Sequence, residues 1–120
     1  MQPTPLPPSR AGTLMLIGGA PCLDFANTSS GRGTSFLQEH LRSYDLLLTW
    51  SEHAGLIARA ERRRLAHLAT QRPRAASRVL RRALALREAI HAIGAALARD
   101  ARPPAAALAV VNCEFATAMA

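Results

Sequence analysis

Asp24, Asn27, Thr28 and Arg32 form the densest polar cluster on an apolar background in this chain. A carboxylate and a guanidinium separated by one loop can make a charge-assisted pair, here Asp24 with Arg32, while Asn27 and Thr28 bond backbone groups of that loop. The cluster is expected to clasp the loop; the alternative is a small-ligand pocket. A second concentration is of one sign. From Arg59 to Arg87 there are ten arginines against the single Glu61. Arg62, Arg63, Arg64, Arg78, Arg81 and Arg82 are the candidates for contact with nucleic-acid phosphates, each neutralised phosphate steepening the salt dependence by ~0.9 log units. The competing reading is a solvated helix face. No aromatic residue interleaves these arginines, so base stacking is not indicated.

Catalysis and metal binding have weaker candidates. No two of His40, His53, His67 and His91 stand three or four residues apart, so no helix presents a ready ligand pair. Cys22 and Cys113 are too few for a disulfide framework or a four-thiolate zinc site, and no Cys-x-x-Cys or His-Glu-x-x-His spacing occurs. Cys22 lies near Asp24, yet no base and orienter accompany it at a recognisable spacing, so an enzyme is not expected and no catalytic residue or metal ligand is assigned. Gly18-Gly19 could form an anion-holding turn ahead of a helix, but it lacks the lysine and the spaced glycines of nucleotide-binding loops.

These residues must be positioned by a mostly helical frame. Pro3, Pro5, Pro7 and Pro8 fix torsions and remove amide donors, so residues 1–12 are expected to be a disordered Pro-rich tail ahead of a domain over 13–120. The apolar run Thr13 to Ile17, ended by Gly18-Gly19, suits a short buried strand. Ala20 to Thr28 reads as a short helix or a second strand, and Ser29 to Gly33 as a loop. Ser43 caps a helix from Tyr44, with Asp45 in its first turn, Leu46, Leu47, Trp50 and Ala54 as its apolar stripe, and Gly55 as its stop. A second helix covers about Ala58 to Thr70, Leu65 and Leu68 inward, until Pro73 interrupts it. The longest runs from about Arg74 to Arg99, with Val79, Leu80, Ala83, Leu86, Ile90, Ile93 and Leu97 on one face. Pro103-Pro104 open a last helix from Ala105. The fold class is thus mostly α: about four helices with a short N-terminal β element.

The chain's 120 residues suit one domain, 49% of them hydrophobic and only 4% aromatic. All fifteen basic residues are arginine, and against eight acidic ones they make a formal charge of +7, which bears on partners rather than fold. The glycine-broken stretch after Arg10 makes a poor secretory leader, and no run approaches the ~20 apolar residues that cross a bilayer. The chain therefore reads as cytoplasmic, with no membrane partner.

Three stretches carry a family resemblance. Gly18-Gly-Ala-Pro-Cys-Leu-Asp-Phe-Ala-Asn-Thr28 is similar to a Gly-x-x-x-Leu-Asp-Phe-x-Asn-Thr signature. Leu41-Arg-Ser-Tyr-Asp-Leu-Leu-Leu-Thr-Trp50, followed by Ala54-Gly55-Leu56, and Ala85-Leu-Arg-Glu-Ala-Ile90 resemble two further helical motifs of the same family. The chain thus resembles the ABATE domain, the N-terminal domain of CGNR zinc-finger proteins, a family of stress-induced transcription regulators. The resemblance implies a regulatory or interaction domain that responds to a small-molecule effector or forms a homo-oligomer. It also implies that zinc and DNA belong to a C-terminal module with paired cysteines and a Cys-Gly-Asn-Arg motif. None of that motif lies within these 120 residues, so no cofactor is expected in this chain. Direct nucleic-acid binding through the arginine surface 59–87 is the alternative.

Overall fold

The computed structural model describes residues 7–16 and 18–120. In chain order it contains α1 (Pro21–Ala26), β1 (Ser29–Ser30), β2 (Gln38–Glu39), α2 (Tyr44–His53), α3 (Arg59–Gln71), α4 (Pro73–Ala98) and α5 (Ala105–Met119). The mostly helical class expected from the sequence is what forms. α4 is the spine, ~39 Å long at 1.5 Å per residue, and it packs against each of the other four helices.

Local chemistry explains the boundaries. Ser43 Oγ accepts the Leu46 N–H at 3.2 Å and so caps α2. At the other end Gly55 adopts φ +77°; its N–H goes to Glu52 O at 3.0 Å and the Leu56 N–H to Ser51 O at 2.9 Å, a Schellman closure. α4 ends in the same way with Asp100 at φ +58° and the Ala101 N–H on Ala96 O at 2.8 Å. Arg72 alone separates α3 from α4, because Pro73 can start a helix but cannot continue one, and it forces its predecessor out of helical torsions.

The β element lies elsewhere than the apolar run predicted. Among the described residues of that run, Thr13 closes a turn onto Arg10 O at 2.9 Å, and Leu14 to Leu16 are irregular; Ile17 lies outside the described residues. Among the described residues no strand pairs with this segment, whose Leu14 carbonyl instead accepts from His53 Nε2 at 2.7 Å, and Met15 and Leu16 are exposed. The sheet is the antiparallel pair β1 and β2, in register Ser29 with Glu39 and Ser30 with Gln38, so part of the expected 29–33 loop is strand.

Residues 7–12, expected in the tail, pack against the body. Pro7 O accepts from Arg42 Nη2 at 2.7 Å, Pro8 O from Gln38 Nε2 at 2.9 Å, and Ser9 Oγ donates to His40 O at 2.6 Å. Ala11 is buried in the core with Leu41, Leu47 and Trp50. The proline torsions extend the segment, and its free carbonyls find donors on β2 and on Arg42 just beyond it.

Candidate functional site

The polar cluster around α1 assembles with other partners than those expected. Asp24 does not pair with Arg32: its Oδ1 accepts the Gly18 N–H at 2.7 Å. That bond fills the turn that could have held an anion, and a Cβ at Gly18 would lie 2.8 Å from Leu23 Cβ, which is why glycine stands there. Asn27 contributes its backbone N–H to the end of α1 and leaves its side chain exposed. Thr28 is fully buried, its Oγ1 donating to Phe25 O at 2.7 Å. Arg32 reaches away from Asp24, donating to Ala26 O at 2.9 Å through Nη2 and to Glu88 through Nη1. It thereby satisfies a carbonyl at the end of α1 and ties the loop to α4.

The centre of the site is Arg87, one of the ten arginines of the basic segment and only 4% exposed. Its Nη1 donates to Glu39 Oε1 of β2 at 2.6 Å and lies 3.5 Å from Thr28 Oγ1, while Nη2 donates to Glu88 Oε1 at 2.8 Å. Glu39 Oε1 also accepts the Leu41 N–H at 3.1 Å. Burial alone would lower the Arg87 pKa, but its bonds to Glu39 and Glu88 outweigh this and hold it above the ordinary guanidinium range. Burial pushes Glu88 up, and Arg87 and Arg32 more than reverse this to leave its carboxyl below the usual range. The sequence carried a signal for Arg87: it sits four residues after Ala83 and three before Ile90, inside the apolar stripe of α4. A charge on that face must be partnered.

A cavity of about 420 Å³ opens beside this network, lined among others by Arg32, Leu37, Glu39, Arg87, Glu88 and His91. Its two guanidiniums and two carboxylates are paired with one another. It offers polar groups without an uncompensated formal charge.

His40, fully buried next to the clasp, was not singled out by the sequence. Its Nδ1 accepts the Arg10 N–H at 3.1 Å, so the ring proton is on Nε2, 2.8 Å from Ser30 Oγ. Burial, then Arg10 and Arg42, lower its pKa below the usual 6.5; Glu39 opposes and Arg87 adds to the lowering. His91 is lowered as well, by burial and then Arg32, with Glu88 opposing. Both rings thus bind protons less readily folded than unfolded. Their contribution to stability is complete above pH 6.5 and declines as the pH falls below it, levelling off once the folded rings protonate. The urea midpoint is expected to fall between pH 7.5 and 5.5, with a shallower fall in a His40→Asn variant; equal slopes in the two proteins would contradict the role given to His40.

The candidate phosphate contacts divide. Arg62 is bound to Glu52 at 2.9 Å and Arg82 to Glu114 through two bonds at 3.1 and 2.8 Å. Arg63, Arg64, Arg78 and Arg81 are exposed and, among the described residues, make no ion pair. Among the described residues no three His, Cys, Asp or Glu side chains cluster as metal ligands, and no helix is long and apolar enough to cross a membrane.

No curated protein and no solved structure matches the chain. The family model of ABATE, described as "Putative stress-induced transcription regulator", matches residues 19–119, a span that holds Asp24, the Arg87 clasp and the five described helices. The chain belongs to the ABATE family of transcription regulators.

Proposed function

We propose that this chain is the regulatory, non-catalytic domain of a stress-responsive transcription regulator acting in the cytoplasm. It takes up an effector or partner and passes that event to an attached zinc-binding, DNA-reading module. The observation that supports this reading is the place of α4, which touches every other helix and carries the hairpin through Arg87. A displacement of one element is then felt by the others through one stiff rod, which is what a population shift between two arrangements needs. A thermal-unfolding screen against small molecules, with sedimentation of the purified chain, tests it. A true effector at a hundred times its Kd stabilises by about 2.7 kcal/mol. A chain that neither gains stability with any compound nor self-associates has no such role.

A second reading is favoured by the exposed arginines that lack acidic partners. Arg63, Arg64, Arg78 and Arg81 would meet phosphates directly and without sequence preference. Anisotropy of a labelled duplex is expected to show binding at 50 mM salt that falls steeply by 200 mM. Replacing all four by Ala should flatten the salt slope by about 0.9 for each phosphate that is no longer neutralised. Absence of binding at 50 mM salt removes this reading.

A further inference from the structure

The one charged residue of α5, Glu114, is bonded to Arg82 of α4, and seven residues earlier Ala107 is buried on the same side of the helix. A helix that is apolar on its other faces as well is ordinarily covered. Yet Leu108, Phe115 and Met119 are exposed, the last two at 65% and 71%. Together with Ala105 and Asn112, also exposed, they stand at steps of three, four, three and four residues along the chain. That spacing is a seam of two heptads, and it lies about a third of a turn round α5 from Ala107.

We propose that this seam docks a second copy of the chain, α5 against α5, antiparallel about a two-fold axis at Asn112. Asn112 is the midpoint of the seam, and its amide both donates and accepts. An apolar residue set opposite would leave that amide dry and unpaired, whereas a second copy brings the same amide across the axis, the N–H of each meeting the oxygen of the other. The antiparallel order also sets the small Ala105 against Met119 and Leu108 against Phe115, so that sizes complement along the seam. Charge agrees with it. The chain carries +7, but α5 has no arginine, and Arg99 and Arg102 stand just before its start. Antiparallel pairing keeps those arginines of the two copies at opposite ends and brings helix ends of opposite partial charge together. The inference rests on the reading of the chain as a domain that takes up an effector or partner, and makes that partner a second copy. The two bonds from Arg82 to Glu114 tie α5 to α4, so that pairing is felt by the central helix.

A seam of ~21 Å makes a contact at the small end of specific interfaces, with an expected Kd of roughly 10–100 μM. Sedimentation of the purified chain from about 10 to about 500 μM should therefore show monomer passing to dimer. Phe115→Glu changes a side chain that is exposed in the monomer; checked for folding by circular dichroism, it should stay monomeric throughout. Orientation is read by cross-linking in a Cys22→Ser, Cys113→Ser background. Under mild oxidant, Ala105→Cys and Met119→Cys chains should form a disulfide with each other about tenfold faster than either does with its own kind, because antiparallel pairing sets 105 beside 119 and holds like positions ~21 Å apart. A chain that remains monomeric, or a dimer that Phe115→Glu leaves intact, overturns the seam. Faster cross-linking of each chain with its own kind overturns the antiparallel pairing. If the chain is monomeric while a compound in the thermal screen stabilises it, the effector half of the functional reading stands and only the partner named here falls; if no compound does so either, both fall.

Discussion

A Glu39→Ala, Glu88→Ala double variant is expected to lose about 3–5 kcal/mol of unfolding free energy, because it leaves the Arg87 guanidinium buried without an anion. For a domain of this length that is a fall of about 10–20 °C in melting temperature, a large part of a typical total stability. Arg87→Met should cost less, about 1–3 kcal/mol. Methionine fills much of the same volume, Glu88 keeps its ion pair with Arg32, and Glu39 can turn to water, since its side chain is 33% exposed whereas that of Arg87 is 4% exposed. The order of the two variants is therefore the test. If Arg87→Met is the more damaging, or if the double variant melts like the wild type, the clasp does not hold the hairpin on α4. Calorimetry of the three proteins at pH 7.5 decides it, well above the range in which His40 and His91 change their contribution.

Gly31→Ala is expected to destabilise by about 2–4 kcal/mol, and Gly33→Ala by only about 1 kcal/mol. Both glycines have positive φ, +71° and +75°, so each substitution meets the same torsional strain. They differ in what surrounds them. A Cβ on Gly31 would run into the Phe36 carbonyl oxygen, with its carbon at 2.8 Å and Leu37 N at 3.2 Å, whereas a Cβ on Gly33 meets nothing within 4 Å. The obstacle at Gly31 is backbone, which can move only by opening the β1–β2 pair and withdrawing Glu39 from Arg87. Some of the cost is returned through the stiffer unfolded chain, and this applies equally to both sites. Urea midpoints of the two variants check the difference. Equal midpoints would mean that the loop relaxes without disturbing the hairpin.

Much of the helical frame was legible because its signals are local. Ser43, Gly55, Pro73 and Pro103-Pro104 each act on backbone groups within about one turn, and both ends of α2, the end of α3 and the starts of α4 and α5 fall within a residue or two of where these residues place them. The same locality misled at Thr13 to Leu16. An apolar run has strand character, but a strand exists only where a second one pairs with it, and the pairing partners are β1 and β2. The mostly apolar stripe of α4 was also legible, yet its ends diverge from its middle. Val79 and Leu97 are exposed because no element of the described chain covers them fully, while Arg87 between them is buried.

The site was legible as a neighbourhood and not as a set of bonds. Asp24, Thr28 and Arg32 all take part in tying α1 and its loop, but Asp24 turns to Gly18, six residues away, and Arg32 to Glu88, fifty-six residues away. Capping, turn formation and proline breaks depend on torsions and donors a few residues apart, so the sequence by itself determined the four longer helices, most of their limits and the family. Which carboxylate meets which guanidinium and which histidine is kept neutral are decided only when α4 packs against the hairpin. Those choices depend on distances through space and on the removal of water, and neither is set by residue type or spacing along the chain.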